Sequence, residues 1–341
     1  MQRLEMHSHE HKVSQVDVHW GLEARPLWNI LGTLAPNALI KWVDRFSPME
    51  SIACEWAVVN AFENTLKISV PSRVQNMRAI YLEIQRVLWS VHYFAGIFKA
   101  VEDDIRYQEA LRLREMVFEI QETLTGNRIL PQVIKIGGLE RDLSLGESKK
   151  LRATIHGLSD TFKNFFGELA DDPLITRRLS GVLPISMTRA WQISLRGPLG
   201  QASGVLQDSR VKDPIGIYSQ YGIHYYEGPH DGDALCRMRS VQFQIGQSIK
   251  LLALFLSSVP EGPYQTQIDG EIQFPSKPSW SVIEAGPGPL YAFVRDRQLR
   301  LCGHSSRLKG TIERLLIGLD SDDFELGLAS LGMDFSQADL E

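Results

Sequence analysis

From Val74 to Phe98, apolar residues fall at Val74, Met77, Tyr81, Ile84, Leu88, Val91, Ala95 and Phe98. This unbroken alternation of three- and four-residue steps predicts one long buried helix. Val70-Pro71-Ser72-Arg73 precedes it, with Ser72 placed to cap its first turn. A second stripe, Tyr107, Ala110/Leu111, Arg114, Val117/Phe118, Gln121 and Leu124, predicts a helix over about 106–124 that stops at Gly126. Arg114 stands on the apolar phase of that stripe. Burying a guanidinium is costly unless it is paired, so a carboxylate partner on another helix is expected, with Glu83 the candidate.

Leu151, Ile155, Leu158, Phe162, Phe165 and Leu169 mark a third helix. A fourth runs from Asp233 to about Ser257, with Met238, Val241, Ile245, Ile249 and Leu252 inward. Ile134–Leu143 reads as a short strand with a Gly-Gly turn. After a Pro- and Gly-bearing connection over 260–278, Trp280–Ala285, Leu290–Arg295 and Gln298–Cys302 read as three short strands. Closing helices are expected over 307–318 and 321–331, the last capped by Asp320 or Ser321. Residues 1–17 are polar and read as a flexible tail, in which His7, His9 and His11 alternate. A metal site there is the alternative to a frayed His-rich end. Residues 18–341 read as a single domain, mainly α with small β elements, an α+β fold.

Composition narrows the function. The chain has 341 residues, 43% hydrophobic and 23% charged, ample for a large core. A net charge of -5 gives no dominant basic face, which argues against nucleic acid as a partner. Cys54, Cys236 and Cys302 stand far apart with no Cys-x-x-Cys, so neither a disulfide framework nor a Cys-held metal is drawn, and a reducing cytoplasm fits. The longest apolar run, Ile249–Val259, is short of the roughly 20 residues that span a bilayer. The N-terminus lacks an apolar signal core. Gly-x-x-x-Gly without Lys-Ser/Thr is no phosphate loop, and Gly-x-Gly-x-x-Gly is absent, so direct NADH binding is unsupported.

The segment Leu195–Arg237 joins a Gly-rich stretch (Gly197, Gly200, Gly204) to Asp208-x-Arg210, Pro214, Tyr218 and Gly232-Asp233-x-x-x-Arg237. Upstream stand His19-x-Gly21-x-Glu23, Asp44-Arg45, Val70-Pro71-Ser72-Arg73, Glu83-x-x-Arg86, Arg112-x-Arg114-Glu115, Thr125-Gly126-x-Arg128 and Ile136-Gly137-Gly138. Downstream stand Trp280–Ala285 and Ser305. Each motif is weak alone. In this order, over some 300 residues, they resemble the quinone-side subunit of respiratory complex I (the 49 kDa or D type) and the large subunit of energy-converting nickel–iron hydrogenases. The resemblance implies a hydrogenase-large-subunit-like helical core in a membrane-attached complex. It implies an iron–sulfur small subunit and other complex subunits as partners, membrane attachment through them, and a peripheral place on the cytoplasmic side. A quinone is the implied ligand, with iron–sulfur clusters and NAD held by other subunits.

The departures from the pattern bear on chemistry. Hydrogenase relatives hold their metals with two Cys-x-x-Cys pairs, because soft anionic thiolates stabilise low-valent metals. Where these pairs belong, this chain has Phe46-Ser47-Pro48-Met49-Glu50 and Gly332-Met333-Asp334-Phe335-Ser336. Complex I relatives place a quinone-holding Tyr after the Asp/Arg pair, and Pro48 aligns there. Their His-Pro-Ser-x-His-Gly hairpin is not found. Arginine and glutamate positions of the family become Gln201, Val241 and Gln244.

Candidate cavity residues are therefore His19, Glu23, Asp44, Arg45 and Pro48. His19 and Glu23, four apart, form either a proton-carrying pair or a helix-entry contact. Asp44 and Arg45 either polarise a pocket or form an internal salt bridge. Glu83, Arg86, Arg112, Arg114 and Glu115 are candidates for a buried charge network, either coupling a redox site to membrane subunits or purely structural. His92 falls off the apolar seam and reads as a surface or satisfied polar residue rather than a ligand. Three functions remain open: a redox-complex subunit, a non-catalytic scaffold relative, or a free-standing helical enzyme. Without paired cysteines, elemental analysis of anaerobically purified protein is expected to find no nickel and no cluster iron; stoichiometric nickel would overturn that expectation.

Overall fold

The structure, a computed structural model, describes residues 4–22, 27–170 and 172–339. It is mainly helical with small antiparallel sheets. Five long helices carry it: α1 (Ser51–Leu66), α2 (Ser72–Ala100), α3 (Asp104–Thr125), α4 (Leu145–Ala170) and α5 (Ala234–Ser257). α2 is the axis, with α3 and α5 packed along it and α4 against both of those. It is buried on nearly all sides, so polar residues placed along it must find partners inside the protein.

Local chemistry sets the helix ends. Asp103 caps α3, its Oδ1 accepting from the Arg106 N–H at 3.0 Å, and Gly126 closes the helix at φ 83°. Asp233 caps α5 by accepting from Cys236 N–H at 2.8 Å. Ser72 is not a cap: it is the first residue of α2, and Pro71 holds the cap position without a side-chain hydrogen bond. The late helices are shorter than the pattern predicts. Residues 307–318 divide into His304–Leu308 and Ile312–Leu316, and 321–331 into a 3-10 turn and Phe324–Ala329, with Asp320 capping the turn.

The polar N-terminal segment, expected as a tail over 1–17, is a hairpin of β1 (Leu4–His9) and β2 (Lys12–Val18). Val13, Val16 and Val18 are buried, and Val13 exchanges backbone hydrogen bonds of 2.8 Å with Gly318 and Leu319. The three histidines do not share a face: His11 sits in the turn at φ 61°. Ile136-Gly137 turns the two-residue ladder of β3 (Ile134–Lys135) and β4 (Gly138–Leu139). β5 (Ser279–Glu284), β6 (Pro289–Arg295) and β7 (Gln298–Cys302) form an antiparallel meander that lies on α1.

The Glu83–Arg114 pairing expected from the sequence does not occur. The inward seam of α3 runs through Ala110, Leu113, Val117, Ile120 and Leu124. Leu113 takes the slot assigned to Arg114, a phase error of one residue. Arg114 is 30% exposed, reaches Glu115 at 3.3 Å and lies over the Phe118 ring. Arg112 pairs with Glu109 at 2.6 Å on the surface, and Glu115 also meets Arg128. These three residues thus stand outside any buried network, whereas Glu83 and Arg86 are fully buried. Glu83→Gln should cost about 3–5 kcal/mol, because it leaves buried guanidiniums short of a carboxylate. Arg114→Met should stay within about 0.5 kcal/mol. Urea denaturation of the two variants checks both, and equal midpoints would refute the assignment.

Candidate functional site

Two polar centres lie along α2, one above the other. The deeper is built on the Glu83-x-x-Arg86 spacing, which puts both side chains on one helix face. Arg86 Nε donates to Glu83 Oε2 at 3.1 Å, and Arg210 Nη1 and the Tyr218 hydroxyl donate to Glu83 Oε1 at 3.1 and 2.7 Å. Arg210 also makes a two-pronged pair with Asp208. The residues of the Asp-x-Arg and Tyr motifs therefore converge on Glu83. Burial alone would raise the Glu83 pKa, but Arg86 and Arg210 outweigh it and hold it at about 2. Glu284, buried and close to Asp208, is pushed up to about 7 while accepting from Ser209 N and Oγ.

This network fixes the turn between β5 and β6. Arg86 donates through Nη1 to Ala285 O at 2.6 Å and through Nη2 to Glu284 O at 2.5 Å. Gln244 donates to Gly286 O at 2.9 Å and to Ser90 Oγ at 3.1 Å. A Cβ on Gly286 would lie 2.7 Å from the Trp89 Cβ, so only glycine lets the turn close against α2. The next residue, Pro287, reaches the second centre.

That centre is a cavity of about 830 Å³ one to three turns further along α2, lined there by Trp89, His92, Tyr93 and Gly96. Its polar wall comes from two segments far apart in sequence, Ser47–Glu50 and Gly332–Ser336. They are the same two segments in which the metal-binding relatives would carry cysteines. The Ser47 hydroxyl lies 3.3 Å from both Glu50 Oε2 and Asp334 Oδ2. Gln337 Nε2 donates to Glu50 Oε2 at 2.5 Å, and its Oε1 accepts from Ser305 N at 2.9 Å. Asp334 Oδ1 accepts from Ser336 N and Oγ at 2.9 and 2.6 Å. Glu50 is 3% exposed, and its Oε1 has no hydrogen-bond partner. Burial, then the nearby Asp334 charge, raise its pKa to about 7 against the opposing pull of Gln337, Arg307 and Ser47.

Of the cavity residues expected from the sequence, Pro48 lines the cavity as the first residue of a 3-10 turn. His19 does not: it is partly exposed and contacts Glu5 across the hairpin at 3.0 Å. Glu23 lies outside the described residues. Asp44 is buried and bonded to Arg45 Nη1 at 2.7 Å and Gln132 Nε2 at 3.1 Å, an internal ion pair. Its pKa is raised, burial outweighing those bonds. His92, off the apolar seam as expected, is exposed at the edge of the cavity. Sequence reasoning missed Ser47, Glu50, Asp334 and Gln337. The available signal was that Ser47, Glu50 and Asp334 stand in the two segments where the resemblance places paired cysteines. Among the described residues no cluster of three or more His, Cys, Asp or Glu is arranged to hold a metal ion.

Fold and cavity together define a subunit of the hydrogenase-large-subunit class. The chain matches the family described as respiratory-chain NADH dehydrogenase, 49 Kd subunit, over residues 106–286, just over half of its length, and it belongs to that family. The D subunit of the NADH-quinone oxidoreductase of Carboxydothermus hydrogenoformans is 27% identical over 307 residues, covering 88% of this chain and 84% of that protein. The H subunit of the chloroplastic NAD(P)H-quinone oxidoreductase of Physcomitrium patens is 27% identical over 290 residues, covering 83% and 72%. In fold, the chain is similar to one in the membrane-bound sulfane sulfur reductase, an archaeal respiratory membrane complex, with a TM-score of 0.93 at 23% identity over 98% of this chain and 94% of that one. No helix among the described residues is long and apolar enough to cross a membrane.

The Glu50 carboxyl gives a stability signature. Its folded pKa exceeds the unfolded value of 4.5, so the folded state binds the proton more tightly and stability falls as pH rises from about 4.5 to 7. Glu50→Gln should remove that contribution. Relative to wild type, the variant should gain on the order of a few kcal/mol between acidic and neutral pH. Denaturant midpoints across that range test this, and a constant gap between the two proteins would refute it.

Proposed function

We propose that this chain is the quinone-side type of subunit in a membrane-attached redox complex. In this reading it docks an iron–sulfur subunit, sits peripherally on the cytoplasmic face through its partners, and supplies one wall of a cavity for a small electron acceptor. It holds no metal or NAD of its own; iron–sulfur clusters and nucleotide belong to other subunits. The observation that carries this reading is the convergence of Ser47–Glu50 and Gly332–Ser336 on one cavity beside α2. The names of the relatives, quinone oxidoreductase subunits, support a quinone or a molecule of similar chemistry as the acceptor.

Pro48 favours a second reading, a scaffold subunit whose cavity no longer binds quinone. Proline offers neither a phenol nor a backbone N–H. A neutral hydrogen bond contributes about 0.5–1.5 kcal/mol, so its absence weakens quinone binding by roughly two- to tenfold. The tagged chain, purified from its native membranes, should carry an iron–sulfur subunit with it. Titration of that complex with a short-chain quinone should show weak binding that Pro48→Tyr strengthens up to about tenfold and His19→Ala leaves unchanged. Recovery of the chain alone, as a monomer, would overturn membership of a complex. A Pro48→Tyr complex with no quinone affinity would favour the scaffold.

A further inference from the structure

We propose that Glu50, Ser47 and Asp334 form a proton relay on the cavity wall, running from the cavity rim at Asp334 to the buried carboxyl of Glu50, which passes the proton to the molecule bound in the cavity. The proposal rests on the cavity being the acceptor site. Its geometry concerns this chain alone.

Ser47 Oγ is 3.3 Å from a carboxylate oxygen on each side. A hydroxyl has one hydrogen, so it donates to one of them and accepts from the other only if that one is protonated. One proton on the pair completes the chain in either direction: Asp334 O–H to Ser47, Ser47 O–H to Glu50, or the reverse. Passing along the chain, a proton leaves Asp334, the Ser47 hydrogen moves to Glu50, and Ser47 is left as a hydroxyl again. Asp334 is half-buried and exchanges with solvent, while Glu50 is not in contact with it.

The second observation is the unpartnered Glu50 Oε1. A buried polar atom left without a partner is costly, and here it belongs to a residue that contributes to the cavity wall. The relay brings the proton to Oε2, and a half-turn of the carboxyl presents it on the Oε1 side, where an oxygen or sulfur lone pair of the ligand accepts the hydrogen bond. That atom accepts the Glu50 proton as the ligand is reduced, with electrons drawn from a reduced iron–sulfur centre in a partner subunit. Glu50 is left as carboxylate and is reloaded through Ser47.

The surroundings favour a proton over a fixed ion pair. From the C-terminal segment Glu50 faces Asp334 and Gln337. From His304–Leu308 comes Arg307, whose Nη1 is held by Pro289 O at 2.7 Å and whose Nε is held by Ser194 O. The neighbouring His304 ring is bonded to Leu331 O at 2.7 Å. From α1 comes Cys54, whose buried thiol stays protonated. His92 of α2 lies across the cavity. No cation forms a salt bridge with Glu50 among the described residues. A purely structural cluster would use the same bonds and titrate as well, but removing the Ser47 hydroxyl would leave turnover unchanged.

Infrared titration and turnover of the purified complex together separate the two. Wild type should show a buried carboxylic acid band that disappears near neutral pH and is missing from Glu50→Gln. Asp334→Asn, which removes a like charge while keeping the shape, should move the midpoint to lower pH. Ser47→Ala should keep the band but slow turnover with the short-chain quinone by about a hundredfold, the scale of a lost proton-transfer step, with an enlarged solvent isotope effect. A Glu50 band that does not titrate, or a midpoint unmoved in Asp334→Asn, overturns the relay even if quinone binds normally. A Ser47→Ala complex that turns over at the wild-type rate with an unchanged isotope effect overturns the relay even if the Glu50 band titrates.

Discussion

The constraint on which the rest depends is the burial of charge inside α2. Glu83 and Arg86 have no access to solvent, and a helix carrying them is stable only if it is assembled with their partners. Those partners come from distant parts of the chain: Asp208, Arg210 and Tyr218 from the loop before α5, and the carbonyls of Glu284 and Ala285 from the β5–β6 turn. Satisfying the guanidiniums therefore fixes the relative positions of helix, loop and sheet. The cavity follows, since the same turn carries Gly286 against Trp89 and Pro287 into the cavity wall. A second buried pair, Arg78 with Glu63 at 2.8 Å, ties α2 to α1 and to the β3–β4 turn through Lys135 O and Gly137 N.

The glycines of the long motif serve the same closeness. Gly197, at φ 61°, lies so near Gly288 that an added Cβ would be 2.6 Å from its Cα. Gly232, at φ 69°, presses on Ile185 O, and its own carbonyl accepts from Arg237. Arg237 is fully buried and has no carboxylate; it donates to the carbonyls of Leu183 and Gly232 and to Ser330 Oγ. Burial lowers its pKa to about 10, still well above neutrality, so it remains a cation solvated by the backbone.

Much of this is legible in the sequence where one periodicity decides the outcome. The long helix and the three late strands follow from spacing alone, and the Glu83-x-x-Arg86 motif from the resemblance. Arg114 is misplaced because a stripe containing both Ala110 and Leu111 fits two phases, and only packing chooses between them. The hairpin at 4–18 reads as a tail because just three of its residues, Val13, Val16 and Val18, are buried, and its other support comes from across the chain, in backbone hydrogen bonds to 318–321 and the contacts of Val18 N with Glu313 and of Lys12 with Asp320. The cavity carboxylates are hidden for another reason. Both segments stand out by the cysteines they lack, yet nothing local reveals that Glu50 and Asp334 meet across the fold.

That meeting also sets an order of events in synthesis. The hydrogen bond from Gln337 to Glu50 spans 287 positions. A nascent chain can pair Arg78 of α2 with Glu63 of α1, and then bring the partners of Glu83 and Arg86 from 208–285, while this wall of the cavity is still missing, because residues 332–337 have not yet left the ribosome. Closing so long a loop is slow relative to forming local helices. Until it closes, Trp89, Tyr93 and the Ser47–Glu50 turn face solvent. This wall of the cavity is thus completed only after the helices on which it closes, and a factor or partner that binds the open face would meet the chain before the cavity has formed.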